Sequence, residues 1–425
     1  MDHILIKGGY KLEGKIEISG SKNAALPIIA ATLLSDKIIE LANIPNLVDV
    51  MSMFELLSSL GAKFKKESPV LLKKTSIHAR DITSSEASYS LVRKMRASFL
   101  VLGPLLTREG VAKVSLPGGC AIGTRPVDLH LKAMKCLGAT IKLEDGYVYA
   151  KAPKGGLKGN TINFQSVSVG ATENAIMAAV LARGETIIKN AAVEPEIVDL
   201  CFFLNSIGAK IANAGEKTLL IQGVQSLKGG RHSVIPDRIE ACTYIIAAAI
   251  TKSKLDIINI HAEHLNNFLK VMNSMGLNYD LYDNKICIKP CDKLKSISIK
   301  TEEYPGFSTD MQAQIMTLAC LVEGNSEIEE NIFENRFMHV PELNRLGAEI
   351  NIEGNKAIIR GNRKLIGAEV MATDLRASVS LILAGLVAKG ETIVNRIYHL
   401  DRGYEKIEKK LSNCGAKIKR IRNDK

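Results

Sequence analysis

One short phrase recurs six times along the chain, as "LLSSLGAKF", "AMKCLGATI", "FFLNSIGAKI", "KVMNSMGLNY", "ELNRLGAEI" and "KKLSNCGAKI". Its glycines are Gly61, Gly138, Gly208, Gly276, Gly347 and Gly415, spaced 68 to 77 residues apart. Repetition at a fixed period restricts the fold more than any single motif, because each unit must pack against its own copies. Each phrase reads as apolar residues at helical spacing, a glycine at the left-handed cap position and an alternating strand such as "AKIANAG" or "AEINIEG". A second helix per unit is rich in small and aliphatic residues, as in "NAALPIIAATLL", "ATENAIMAAVLA", "RIEACTYIIAAAI", "MQAQIMTLACLV" and "RASVSLILAGLV". In the first, Leu26, Ile29, Ala30, Leu33 and Leu34 share one helix face. These helices carry so little polar surface that burial is expected. Strands such as "RGETIIKNA" and "KGETIVNRI" follow them. Six α/β units of this size suit two domains of three units each, and the Gly- and Pro-bearing stretch "GGRHSVIPDR" at 229–238 marks the midpoint.

Composition narrows the class. No apolar run approaches the roughly 18 residues of a membrane-spanning helix, and "MDHILIKGGYKLEGK" lacks the pattern of a secretory signal, so a cytoplasmic location is expected. The eight cysteines are dispersed without a CxxC pair, which predicts reduced core thiols for all but Cys120. The net charge of +11 comes from 56 basic against 45 acidic residues, much of it in scattered lysines. Nucleic-acid binding calls for a concentrated basic stripe with stacking aromatics, whereas aromatics make up 5% here and tryptophan is absent. A small anionic substrate fits better.

Polar residues gather at the starts of the buried helices: "SGSKN" at 19–23, "RKMRAS" at 93–98, "SVSVGATEN" at 166–174, "STDMQ" at 308–312 and "TDLRAS" at 373–378. A helix N-terminus presents unpaired N–H groups and partial positive charge, suited to anions. Similarly arranged repeats would bring these ends together in the space between two domains. Cys120 stands apart, in "VSLPGGCAIGTR", where Gly118, Gly119 and Gly123 make a loop able to bend and approach a ligand closely.

Other motifs fail on a required residue. "GYKLEGKI" has P-loop spacing but places Ile16 where a magnesium-binding hydroxyl is needed. "SGSK" matches S-x-x-K without the accompanying S-D-N or K-T-G. His261 and His264 lack the spacing of a zinc motif and read as an exposed helical pair, so no metal site is expected.

The stretches "ISGSKNAALPIIAATLL", "LPGGCAIGTRPVDLH", "EPEIVDL", "FSTDMQAQ", "FENRFMHVPEL", "TDLRAS" and "YHLDRGYEKIE", in order from about residue 3 to about 420, resemble the UDP-N-acetylglucosamine 1-carboxyvinyltransferase family of enolpyruvyl transferases. The resemblance implies an α/β fold, a two-domain inside-out α/β barrel of six βαβαββ-type repeats, three per domain. Residues 1–21 and 235–425 would form one domain and residues 22–234 the other, with the active site in the cleft between them.

The reaction it implies joins the 3-hydroxyl of UDP-N-acetylglucosamine to C2 of phosphoenolpyruvate and releases phosphate, the first committed step of peptidoglycan synthesis, with no cofactor. Cys120 resembles the family's general acid, on a mobile loop, and Asp310 the general base. A free thiol titrates near about 8.5 and can donate a proton at neutral pH, whereas a nearby cation such as Arg125 favours the thiolate and a covalent adduct; both roles stay open. By the same resemblance Lys22, Arg125 and Arg402 contact the phosphate of phosphoenolpyruvate, and Arg336 and Arg376 lie near its carboxylate. Lys22 and Arg402 also count as catalytic, and Asn23 and Asp374 complete the polar cluster. The nucleotide-sugar set is Arg96, Arg125, Pro126, Val127, Asp128, Leu129, Ser166, Val167, Ser168, Val169, Asp310 and Ile332. Ser166 departs from the family, many members of which have lysine there, so diphosphate contacts fall to Ser168 and backbone N–H groups. The resemblance also implies sensitivity of Cys120 to the epoxide fosfomycin. Two alternatives remain: the sister transferase acting on shikimate 3-phosphate, which does not use the "PGGCAIGTRPVD" loop, and a non-catalytic anion or nucleic-acid binder, which would not require Cys120 and Asp310.

Overall fold

The computed structural model describes residues 2–66, 74–118 and 126–422, the side chain of Lys66 excepted; Cys120 and Arg125 lie outside the described residues. Each of the six recurring glycines has a positive φ, from 92° to 111°, where a Cβ is disfavoured. This turns the chain out of a helix and into a strand. Among the described residues six four-stranded sheets result, each with one parallel pairing followed by two antiparallel ones; in four of them the parallel strands flank a buried helix, whereas Lys15–Glu17 with Leu255–Ile258 and Gly230–Ser233 with Ile38–Ala42 are brought together from distant parts of the chain. Thr161–Asn163 pairs parallel with Glu185–Lys189, which pairs antiparallel with Thr218–Gln222, itself antiparallel to Lys210–Ala212. The other five sheets repeat this order.

Two compact units contain three sheets each. One is built from the chain up to Ser19 together with the chain from Pro236 onward; the other is built from the described residues between Gly20 and Ile235. Each has its own apolar core.

The first unit borrows strands from the start of the chain. His3–Lys7 is a central strand between Glu391–Asn395 and Lys417–Ile421, and Lys15–Glu17 pairs parallel with Leu255–Ile258. A buried polar knot fastens this segment: Glu240 accepts from the Ser19 backbone N–H at 2.8 Å and from Lys410 Nζ at 2.7 Å, while Lys410 also donates to Ser19 Oγ at 2.9 Å.

At the centre of the same unit the helices Arg238–Ile250, Gln312–Ala319 and Leu375–Val387 pack on one another. Alanine, serine and glycine along them let the backbones approach, and every residue from Ile239 to Ile250 is buried. In the second unit the helix Lys22–Ala31 is likewise buried from Ala24 onward, as its lack of polar surface predicts, and it ends at Ala31 in a 3-10 turn. The helices Val48–Ser59 and Pro195–Ser206 pack against it.

One sequence expectation is corrected. The seven described cysteines are free, but only Cys201, Cys242, Cys320 and Cys414 are buried; Cys136, Cys287 and Cys291 are partly exposed. Cys287 alternates with the buried Ile286 and Ile288 along the strand Lys285–Ile288 and so faces away from the core, and Cys291 lies just beyond that strand. Among the described residues no helix is long and apolar enough to cross a membrane.

Candidate active site

In the first unit, chemistry gathers where two buried helices begin. Ser308 caps a 3-10 turn, Thr309–Met311, that leads into the helix Gln312–Ala319 and puts Asp310 at its mouth. The neighbouring loop is held to this turn by the buried Glu330, which accepts from Thr309 Oγ1 at 2.9 Å and from the backbone N–H groups of Ile332 and Phe333 at 2.9 and 3.1 Å. Ile332 is thereby tied to the segment carrying Asp310.

Both oxygens of Asp310 are engaged by arginines. Arg336 donates from Nη2 to Oδ1 at 2.8 Å, and Arg376 donates from Nη2 to Oδ2 at 3.1 Å. Both guanidinium groups are 5% exposed as residues, while the Asp310 side chain keeps 28% of its surface. Burial alone would lower the pKa of Arg376, but Asp310 and the other groups around it outweigh that effect and raise it above its ordinary value. Two cations thus surround one partly open carboxylate, an arrangement able to hold an anion and accept a proton at the same place.

Asp374, expected in this polar cluster, serves as N-cap of the helix Leu375–Val387, accepting from the N–H groups of Arg376 and Ala377 at 2.8 and 3.1 Å. Its cap sets the backbone from which Arg376 projects. Arg402 ends the 3-10 turn Ile397–Arg402 and is half-buried.

His339 is fully enclosed beside these groups, its Nε2 without a hydrogen-bond partner among the described residues. Burial, opposed by Asp374 and reinforced by Arg336, pushes its pKa down to about 4. A histidine whose folded pKa lies below the ordinary value near 6.5 favours the neutral form, so its contribution to stability is present at neutral pH and is lost as pH falls from about 6.5 towards 4. Urea unfolding midpoints should drop over that window, and the drop should shrink in His339→Gln; an equal drop in that variant would contradict the assignment.

In the second unit, Lys22 is the first residue of its helix, behind the cap Ser21, and its Nζ lies 3.4 Å from Asp49 Oδ2. Asn23 follows on the same turn, partly buried. A side chain at Gly20 would collide with the Asn43 carbonyl, so only glycine lets the chain enter this turn along its present path.

The nucleotide-sugar candidates in this unit converge. Arg96 donates to the Pro126 carbonyl at 3.3 Å, next to Val127, which precedes the helix Asp128–Cys136 bearing Asp128 and Leu129. Ser168 caps the helix Val169–Ala179, and its hydroxyl accepts from the Ala171 N–H; Ser166 and Val169 are exposed and Val167 is half-buried. The two helices are linked by Asn174 Nδ2 and His130 Nδ1 at 3.0 Å, and Asn174 also donates to the Phe99 carbonyl beyond Arg96.

Sequence reasoning missed the residues that hold these groups, Glu330 in one unit and Asp49, His130 and Asn174 in the other, and the buried His339 beside them. Nothing local to them signals a site; a buried polar side chain shows its purpose only through its partner. The structure also gathers His261, Glu263 and His264 with ligand atoms within 4.8 Å of one another, on a 3-10 turn, Ala262–Leu265, rather than on a regular helix.

Residues 6–411 match the family described as EPSP synthase (3-phosphoshikimate 1-carboxyvinyltransferase). A UDP-N-acetylglucosamine 1-carboxyvinyltransferase of Pelagibacter ubique is 55% identical over 421 residues, covering 99% of this chain and 100% of that protein. Its namesake from a Caulobacter species is 53% identical over 425 residues, covering 100% of this chain and 98% of that protein. Among solved structures, the enolpyruvyl transferase NikO from Streptomyces tendae aligns with a TM-score of 0.89 at 26% identity, covering 99% of this chain and 98% of that one. EPSP synthase from Acinetobacter baumannii shares the fold, with a TM-score of 0.77 at 17% identity and coverage of 99% of this chain and 100% of that one.

Proposed function

The chain belongs to the UDP-N-acetylglucosamine 1-carboxyvinyltransferase family, and on that premise we propose that it transfers the enolpyruvyl group of phosphoenolpyruvate to the 3-hydroxyl of UDP-N-acetylglucosamine and releases phosphate. The observation that carries this reading is the Asp310 carboxylate clasped by the buried Arg336 and Arg376. In the free enzyme the two guanidinium groups occupy both Asp310 oxygens. A substrate carboxylate that draws the arginines toward itself releases those lone pairs, so binding of phosphoenolpyruvate would create the base that deprotonates the sugar hydroxyl. Removal of that proton makes the oxygen nucleophilic toward C2, and protonation of C3 completes the addition.

Cys120 is the proposed proton donor for C3. After addition, the C2–O bond to phosphate breaks and a proton leaves C3, forming the enol ether of the sugar and free phosphate. Lys22, Arg125 and Arg402 would neutralise the phosphate as it leaves, with Asn23 beside them. Arg96, Arg125, Pro126, Val127, Asp128, Leu129 and the stretch from Ser166 to Val169 would hold the nucleotide-sugar, and Ile332 would border its sugar beside Asp310. The two sets of residues would serve one reaction in the cytoplasm, within peptidoglycan precursor synthesis.

Phosphate release from the purified protein tests this. It is expected to require both phosphoenolpyruvate and UDP-N-acetylglucosamine and to fall sharply in Cys120→Ala. No release with that pair, or release with shikimate 3-phosphate in place of the nucleotide-sugar, would overturn the assignment.

A further inference from the structure

Behind the Asp310 pair lies a polar cluster in an otherwise apolar interior. Tyr404, Thr243, Gln314 and Arg376 are between 0% and 5% exposed, and they come from three central helices and the segment after Arg402. Polar groups buried this deeply are costly unless hydrogen-bonded, so their partners specify one arrangement.

The direction of the bonds follows from counting protons. Thr243 has one hydroxyl hydrogen, and its Oγ1 lies 2.8 Å from the Ile239 carbonyl, which can only accept. In the 2.9 Å contact between Thr243 Oγ1 and the Tyr404 hydroxyl, Tyr404 is therefore the donor. Its oxygen lone pairs are left to accept from Arg376 Nη1 at 3.3 Å and Gln314 Nε2 at 3.4 Å. Burial raises the Tyr404 pKa, which keeps the phenol protonated and the chain of donors intact. Gln314 Nε2 also donates to the Asp310 carbonyl at 2.9 Å, tying the cluster to the turn that carries the carboxylate.

Tyr404 is seated firmly enough to act as a reference point. A Cβ at the preceding residue, Gly403, would meet the Leu375 side chain at 2.6 Å, so glycine allows the segment to close on the helix that bears Arg376.

We propose that Tyr404 is a positioning residue for the transfer reaction: its hydroxyl, fixed by Thr243, holds Arg376 Nη1 so that Nη2 faces Asp310 and the carboxylate of phosphoenolpyruvate. The proposal rests on the functional reading above. Arg376 reaches the cluster with one nitrogen and Asp310 with the other, so loss of the phenolic oxygen lets the guanidinium turn about its long side chain.

The test is Tyr404→Phe, which removes one oxygen, alongside Thr243→Val and Thr243→Ser. Phosphate release is measured with each substrate varied in turn, and a crystal structure of Tyr404→Phe is determined. Tyr404→Phe is expected to lower kcat/KM for phosphoenolpyruvate by about 10- to 100-fold, the worth of one hydrogen bond to a charged group, with KM for UDP-N-acetylglucosamine changed less than about twofold. Thr243→Val should move in the same direction, whereas Thr243→Ser, which keeps the hydroxyl, should behave as the wild type. Unchanged kinetic constants with a lowered Tm would show a merely structural role and overturn the proposal. If the wild type does not turn over this substrate pair, the functional reading fails separately. The crystal structure then decides the positioning claim: an Arg376–Asp310 contact unchanged in Tyr404→Phe overturns it, and a displaced guanidinium supports it.

Discussion

Replacing Asp310 with asparagine should reduce kcat for phosphate release by about 10²- to 10⁴-fold, the range typical of a lost general base. The substitution is nearly isosteric but removes the negative charge and turns one of two acceptors into a donor. That donor would face the guanidinium of Arg336 or Arg376, each now within 2.8 to 3.1 Å of the position of a former carboxylate oxygen. The chemistry loses its proton acceptor, and the two buried cations lose their shared counter-ion. Activity and unfolding should be measured on the same preparation, because a folded and inactive variant separates the two losses. A fall in kcat of less than tenfold in a folded protein would remove Asp310 from the proton transfer.

The largest effect on stability is expected from Lys410→Met. Glu240 is 3% exposed, and Lys410 is its counter-ion at 2.7 Å. Breaking a buried pair from one side strands the other charge, at a cost of about 3–5 kcal/mol. The double variant Lys410→Met with Glu240→Gln should recover part of that loss, because no charge is then left buried. Burial already raises the pKa of Glu240, with Lys410 opposing the rise. A folded-state pKa above the unfolded value means the folded protein binds more protons on acidification, so the deficit of Lys410→Met should narrow as pH falls. Urea titrations at two pH values check both statements; a loss below about 1 kcal/mol would show that the pair is already relaxed or hydrated. Because the same knot holds Ser19, early cleavage near the start of the chain in limited proteolysis is the expected companion result.

The site was legible in unequal parts. Lys22, Asp310, Arg336 and Arg376 stand in stretches that resemble one family, and the polar helix starts, that of Arg96 among them, pointed to anion binding without that likeness. Tyr404 lay inside one of the quoted stretches and went unremarked, because tyrosine beside "LDRG" carries no local pattern. Its importance comes from Thr243, 161 residues away, and from Arg376, 28 residues away. Asp374 belongs to a polar helix start legible in the sequence, whereas its part as N-cap to the backbone of Arg376 shows only in the structure.

Local chemistry was enough to determine the repeating unit. A glycine set just past a helical run and before an alternating one takes up positive φ at little cost and ends the helix there, and a run of small aliphatic residues demands burial, so six helix–cap–strand phrases specify six similar α/β units before any packing is known. Only the tertiary structure decided which buried polar groups meet. Hydrogen bonds such as Tyr404 to Thr243 and Lys410 to Glu240 join residues from different repeats, and their energy depends on distances of a few tenths of an ångström and on exclusion of water. Neither quantity is a property of sequence neighbours; both arise when three helices close around a common core.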